Sequence, residues 1–261
     1  SGSSRYNYRN TGVTGQNPVA DSEVSVLGAF GQVNWDINPR LRVQAGLRLD
    51  YTDMGKRPPE AFDRNGVPFE DLFGLPNNGV IDGNLLIAPR FSFNYKVDEE
   101  SDFQVRGGIG IFQGRAPGVW MSNAFTNNGE TSNRILFGDQ EGFDWVNYVN
   151  TQLDQDNPIV FIGKAEGTPE VNVSDPDLAL PWIIRGNLAT DMRLGDSPWV
   201  MTVEAIFTQN YDALWVENIN LQPAGTARDG RQLYEGRNVD TFGDVYVLRN
   251  IDEGESRNFA L

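Results

Sequence analysis

Residues 41–51, LRVQAGLRLDY, alternate without a break. Leu41, Val43, Ala45, Leu47, Leu49 and Tyr51 fall on one side; Arg42, Gln44, Gly46, Arg48 and Asp50 fall on the other. Successive side chains of a strand point to opposite faces, so this segment is a strand with two unlike faces. It is as long as the ~9–11 residues that a tilted strand needs to cross a bilayer. The pattern returns along the chain. Leu27, Ala29, Val33, Trp35 and Ile37 alternate with Gly28, Gln32, Asn34 and Asp36. Phe91, Phe93, Tyr95 and Val97 alternate with Arg90, Ser92, Asn94 and Lys96, and Phe103, Val105, Ile109 and Ile111 with Gln104, Arg106, Gly108 and Gly110. Trp199, Met201, Val203, Ala205 and Phe207 alternate with Thr202, Glu204 and Thr208, while Ile183, Arg185, Asn187 and Ala189 begin a less clean example.

The connections between these strands are of two kinds. Asn38-Pro39 joins strands expected near 24–37 and 40–54, Asp98 to Ser101 joins 84–97 to 102–115, and Gly195 to Pro198 joins 181–194 to 199–217. Long polar stretches near 55–83, 116–180 and 218–250 separate the hairpins. Short and long connections therefore alternate, which puts the short turns at one end of a sheet and the long loops at the other. Compact soluble domains seldom carry several loops beyond ~12–15 residues, and their strands usually run ~5–6 residues. A transmembrane β-barrel has this asymmetry by rule. The expected fold is all-β, an antiparallel transmembrane barrel represented by about seven strands of a larger whole. The expected layout is an external loop over 1–23, two hairpins over 24–115, a long external loop over 116–180, a hairpin over 181–217, and a loop with the start of another strand over 218–261. The last residues, Arg257 to Leu261, read as strand without a turn, so the chain reads as a fragment or part of a longer protein.

Magnitude decides which face meets lipid. An Arg on the lipid face at the bilayer midplane costs ~2–4 kcal/mol, and one strand carries both Arg42 and Arg48 on one side. That side is expected to face the lumen. Trp35, Tyr95, Phe103 and Trp199 sit beside the short turns, where an interfacial aromatic girdle belongs. In 139–153, Phe143, Val146, Val149 and Leu153 fall near helical spacing, with Asp139 as a cap, so that loop reads either as a short helix or as irregular.

Composition narrows the chemistry. The chain of 261 residues has no Cys and no His, which removes thiol chemistry, His-ligated zinc and His-based triads. A net charge of −15 opposes phosphate backbones, so no nucleic-acid partner is expected. No apolar run reaches the ~20 residues of a membrane helix, which says nothing about strands.

The blocks themselves resemble a known family. FGQVNWDINPRLRVQAGLRLDY is similar to the strand-turn-strand of TonB-dependent outer-membrane receptors. APRFSFNYKV, FQVRGGIGIFQGRAPGVWMSNAFTNNG, EVNVSDPDLALPWIIRGNLATDMRL and TVEAIFTQNYDALWVENINLQP resemble the Oar-like branch, in the family's order, across most of residues 24–261. The resemblance implies a Gram-negative outer-membrane location and a large barrel with an internal plug. It also implies transport, by uptake or export of an unidentified substrate, energised through TonB. The partners it implies are the plug and remaining strands of the same receptor chain, the TonB complex and the lipid bilayer; no catalytic residue is expected. Neither a plug nor a TonB-contacting segment is recognisable in this sequence.

The candidate site residues each carry two readings. Arg42, Arg48, Arg90 and Arg106 either line a passage for anionic solutes or form salt bridges to the plug or to Asp50 and Glu204. Trp120, Phe125, Trp145 and Tyr148 either contact a ligand in the external loop or pack that loop on itself. The acidic clusters around Glu99, Asp139, Asp175 and Asp252 read as solvated loop charge, with Ca²⁺ binding as the alternative; none has EF-hand spacing, and no cofactor is expected. Gly107 to Gly110 lacks the Lys-Ser/Thr of a phosphate loop and sits within a strand. Carboxylate pairs for glycoside hydrolysis are unspecific in so acidic a chain. The remaining alternatives to a receptor wall are a soluble, secreted all-β module that binds carbohydrate or protein, and an enzyme on a β scaffold.

Overall fold

The computed structural model describes residues 6–10, 21–97, 102–114, 118–130, 133–137, 168–251 and 255–260. In chain order the strands are β1 (Tyr6–Asn10), β2 (Ser25–Asn38), β3 (Leu41–Asp53), β4 (Asn84–Lys96), β5 (Phe103–Gln113), β6 (Asn133–Phe137), β7 (Val171–Ser174), β8 (Trp182–Arg193), β9 (Val200–Tyr211), β10 (Ala213–Asn218), β11 (Leu221–Thr226), β12 (Gln232–Arg237), β13 (Val245–Ile251) and β14 (Glu255–Ala260). Two helices, α1 (Phe69–Phe73) and α2 (Gly118–Thr126), lie in the long connections.

The largest sheet is a seven-stranded antiparallel array in the order β14-β9-β8-β5-β4-β3-β2. It is open: the outer edges of β2 and β14 have no strand partner among the described residues. This is part of a barrel wall. The turns fix the register. Asn38 Oδ1 accepts the backbone N–H groups of Arg40 and Leu41, both at 2.9 Å, closing the β2–β3 hairpin. Between β8 and β9, Leu194 N–H reaches the Trp199 carbonyl at 3.0 Å, and Gly195 supplies the positive φ of +58° that the turn needs. Pro89 has no N–H to give, and the β4–β5 ladder stops beside it at Arg90.

Register carries the alternation across the wall. Trp35, Val43, Phe93 and Gly107 follow one another on one face, as do Leu27, Tyr51 and Leu85. The other face runs through Asp36, Arg42, Asn94, Arg106 and Ala189. The apolar face is uncovered: Leu27, Val33, Trp35, Leu47, Leu85, Ile87, Phe91, Ile109, Leu188 and Phe207 are all exposed. A soluble monomer seldom exposes a contiguous apolar patch above a few hundred Å². In a sandwich this face would pack on a second sheet. Here the buried hydrophobic residues that cluster into cores lie in the long connections instead. At the short-turn end Trp35, Tyr95 and Trp199 are exposed on the same face.

The described parts of the long connections are folded rather than irregular. β13 pairs antiparallel with β10 and parallel with β7, making a small sheet above the wall. One core gathers Met54, Val80, Ile81, Met121, Phe125 and Leu178 with Leu180 and Leu248. The second gathers Ala61, Phe69, Val171, Val173, Phe242, Val245 and Val247. Phe242 packs edge-on against both Phe69 and Phe73, with centroids 5.5 and 5.7 Å apart. Asparagines satisfy the backbone between these elements. Buried Asn220 donates to the carbonyls of Val239, Phe242 and Gly243 at 3.0, 3.3 and 2.7 Å and accepts the Val239 N–H at 2.8 Å.

The strand expected over 199–217 is two strands. Asp212 takes a left-handed conformation, φ +51°, which ends β9 at Tyr211 and turns β10 out of the wall into the small sheet. The stretches expected as loops hold α1, α2, β7 and the β11–β12 hairpin. The helical reading of 139–153 lies outside the described residues.

Two outcomes test this arrangement. Spin labels on the protein in a bilayer, at Ala45→Cys and Ser92→Cys, are expected to differ: oxygen accessibility dominates at 45, and a water-soluble nickel complex competes better at 92. Equal ratios at the two positions refute the opposed faces. Asn220→Ala strips partners from three carbonyls and one amide, and is expected to destabilise the loop assembly by about 2–4 kcal/mol. The readout is faster proteolysis within 213–251 with unchanged strand content by circular dichroism.

Candidate functional site

The polar face of the wall is a graded set of arginines, each seated on the ladder by its register. Arg42 on β3 pairs with Asp36 opposite it on β2, Nε to Oδ1 at 2.6 Å, and both side chains are about two-thirds exposed (68% and 65%). Arg48 binds its neighbour Asp50 two residues on, at 2.6 Å. Asp50 is itself buried, and its other oxygen has no hydrogen-bond partner; a Cβ on Gly28, opposite it, would sit 2.9 Å from that oxygen. Ala88, fully covered, lies opposite Arg48 on β4, so the small side chain leaves room for the guanidinium to lie along the sheet.

The densest part lies on β5, β8 and β9. Asp191 accepts from Arg106 Nε at 3.0 Å, Gln104 Nε2 at 3.0 Å and Thr202 Oγ1 at 2.7 Å. Glu204 lies 4.0 Å from Arg106 and accepts from Asn187 Nδ2 at 3.0 Å. Again a small, covered residue, Ala189, stands opposite the arginine. Arg90 differs: its guanidinium lies 4.5 Å over the Phe112 ring. A further arginine of this face, absent from the candidate site residues, is Arg185 on β8. Its strand has less clean faces, but Arg185 stands two residues from Asn187 and so shares the polar face with it. A groove of about 620 Å³ runs along this face past Gln44, Arg90, Ser92, Phe112, Arg185 and Glu204.

Of the candidate loop aromatics, Trp120 is exposed on α2, where it lines a second hollow with Phe112, Trp182 and Tyr211. Trp182 stacks on Tyr211 at 4.2 Å and donates its indole N–H to Asp212 at 2.8 Å. Phe125 is buried in the first loop core, so packing accounts for it. Trp145 and Tyr148 lie outside the described residues. Among the described residues no group of three or more acidic side chains is arranged to hold a metal ion.

One loop carboxylate is held in place by the backbone. Burial pushes the Asp63 carboxyl up, but the amides of Val67 and Asn65 and the Asn65 side chain outweigh it and hold the group below its ordinary value. Its hydrogen bonds, at 2.8 Å to each amide, close the turn through Gly66 that delivers Phe69 to the core.

The outer membrane beta barrel domain family matches residues 6–257. No curated protein matches the chain. Among solved structures, the siderophore receptor PirA from Pseudomonas aeruginosa is 13% identical with a TM-score of 0.46, over 90% of this chain and 30% of that one. A double mutant of the Serratia marcescens hemophore receptor HasR, in complex with its hemophore HasA and heme, is 10% identical with a TM-score of 0.29, over 91% of this chain and 38% of that one. The chain thus spans well under half the length of either receptor.

The two kinds of ion pair on the polar face are expected to separate on mutation. Asp36→Ala opens an exposed, solvent-screened pair and leaves stability close to that of the wild type. Asp191→Ala strands three donors in a mostly covered site and costs about 1–3 kcal/mol. Denaturant unfolding of the protein in lipid measures both; equal effects would contradict the network.

Proposed function

This chain belongs to the outer membrane beta barrel domain family, and from that premise we propose that it is wall and external rim of a TonB-dependent receptor of the Oar-like branch. Its place is the bacterial outer membrane. The observation that carries the proposal is the pairing of two unlike faces on one sheet: an uncovered apolar face for lipid and an arginine–carboxylate network for a lumen. The sequence blocks from FGQVNWDINPRLRVQAGLRLDY to TVEAIFTQNYDALWVENINLQP support the finer assignment.

In this reading the chain contributes a passage wall and a folded rim, and the whole receptor moves a solute across the outer membrane. The plug, the remaining strands and the TonB complex are its partners, and Gram-negative bacteria its source. Catalysis is no part of the proposal. The arginines bound to Asp36, Asp50 and Asp191 serve mainly to hold the wall's inner surface in shape, because each already has its counter-charge. The exposed Trp120 and the β11–β12 hairpin stand where an arriving solute meets the rim.

A growth screen on single solutes tests it. Deleting the gene of the full receptor is expected to abolish use of one solute, and loss of TonB to abolish it equally. Growth on that solute that needs the receptor but survives loss of TonB overturns the energised reading.

A further inference from the structure

Most arginines of the polar face have a carboxylate partner among the described residues. Arg42, Arg48 and Arg106 each have a carboxylate within ion-pair distance. Arg90 and Arg185 have no ion pair with any described residue, although the chain as a whole carries a net charge of −15. The register brings these two together. Arg90 on β4 stands opposite Gly110 on β5, and Gly110 stands opposite Arg185 on β8. Two strand spacings separate their Cα atoms, about 10 Å, a span that two arginine side chains reaching inward can close.

The sheet between them is kept bare. A Cβ on Gly110 would lie 3.1 Å from both Arg90 Cγ and the Phe112 ring, so a side chain here would displace the guanidinium from the ring it covers. A Cβ on the neighbouring Gly108 would meet the Phe91 carbonyl at 2.9 Å and Ser92 Cβ at 3.1 Å. The floor is therefore two glycines, with Gln44 and Ser92 along the groove on the β3 and β4 side. Glu204 lines the same groove, but Asn187 and Arg106 engage it.

We propose that Arg90 and Arg185, set on either side of Gly110, form a two-guanidinium seat for one carboxylate that no described residue of this chain supplies. A carboxylate is the chemistry that fits, because it is what satisfies every other arginine on this face, and the planar guanidinium fork matches it in two parallel hydrogen bonds. Cation–π contact holds Arg90 low on the sheet without neutralising it, so its outer N–H groups stay available. The carboxylate belongs either to a segment of the receptor inside the lumen or to a solute. The inference rests on the lumen assignment of this face, which the spin-label comparison at positions 45 and 92 tests separately.

The experiment uses the full-length receptor in detergent at low ionic strength, with citrate as the probe carboxylate. Phenylglyoxal modification of individual arginines is read by mass spectrometry, and citrate binding by calorimetry. If the seat takes a solute, Arg90 and Arg185 react, citrate protects them, and R90Q or R185Q each weakens citrate binding about tenfold or more. If the receptor supplies its own carboxylate, the two arginines are protected without citrate and become reactive once carboxylates are amidated with a carbodiimide. Reactivity that citrate leaves unchanged overturns the proposal, as does protection that persists after amidation. Wild-type modification needs no variant to fold, and R90K/R185K, which keeps the charge and loses the forks, serves as a folded control with weakened binding.

Discussion

In hydrocarbon an unpaired backbone N–H or C=O costs several kcal/mol, and an extended strand can pair only sideways, through the strands next to it. The wall of this protein is built around that requirement. Its antiparallel ladder joins each strand to the next from β2 through β3, β4, β5 and β8 to β9 and on to β14. The ladder in turn dictates the faces. A slip of one residue between β2 and β3 would send Arg42 and Arg48 into lipid at ~2–4 kcal/mol each near the midplane. The side chain of Asn38 and the Leu194–Trp199 closure set that register locally, before any distant contact forms.

Given the register, the polar face is a matter of fitting large cations onto a flat sheet. Small residues stand beside the arginines: Ala88 by Arg48, Ala189 by Arg106, Gly110 between Arg90 and Arg185. A bulkier neighbour would lift the guanidinium away from the acid two residues along the ladder. Among the described residues of this face, Asp36, Asp50, Asp102, Asp191 and Glu204 stand with Arg42, Arg48, Arg90, Arg106, Arg185, Arg193 and Lys96. The acidity of the chain is thus not a property of the wall's polar face.

Much of this was legible in the sequence because it is local. Period two in LRVQAGLRLDY needs no knowledge of partners, and Asn38-Pro39 announces its own turn. Arg42, Arg48, Arg90 and Arg106 follow directly from the alternation. Arg185 is harder to assign to a face from sequence because isoleucines stand on both faces of β8, and Phe30 and Phe112 likewise place aromatics on the polar side. The rim was illegible for a different reason. β7 meets β13 across more than seventy residues, and a four-residue strand such as VNVS carries no period that names its partner. Asn77, Asn128 and Asn220 read as loop polarity, yet all three are buried. They cap backbone groups that irregular chain would otherwise leave to water, a role visible only once the elements meet.

The passage from wall to rim turns on Asp212. It is the one non-glycine residue with positive φ among the described residues. Aspartate tolerates this conformation better than most residues because its short side chain can find a local partner. Here the partner is the Trp182 indole, from the start of β8, which also stacks its ring on Tyr211. Asn250 of β13 donates to the Asp212 carbonyl at 2.7 Å and, with the same amide, to the Ala179 carbonyl at 3.0 Å, while its oxygen accepts the Ala179 N–H. The end of β9, the entry to β8 and the central strand of the rim sheet are therefore tied at one point. The tie means that the rim sheet cannot be displaced at β13 without loosening the top of two wall strands.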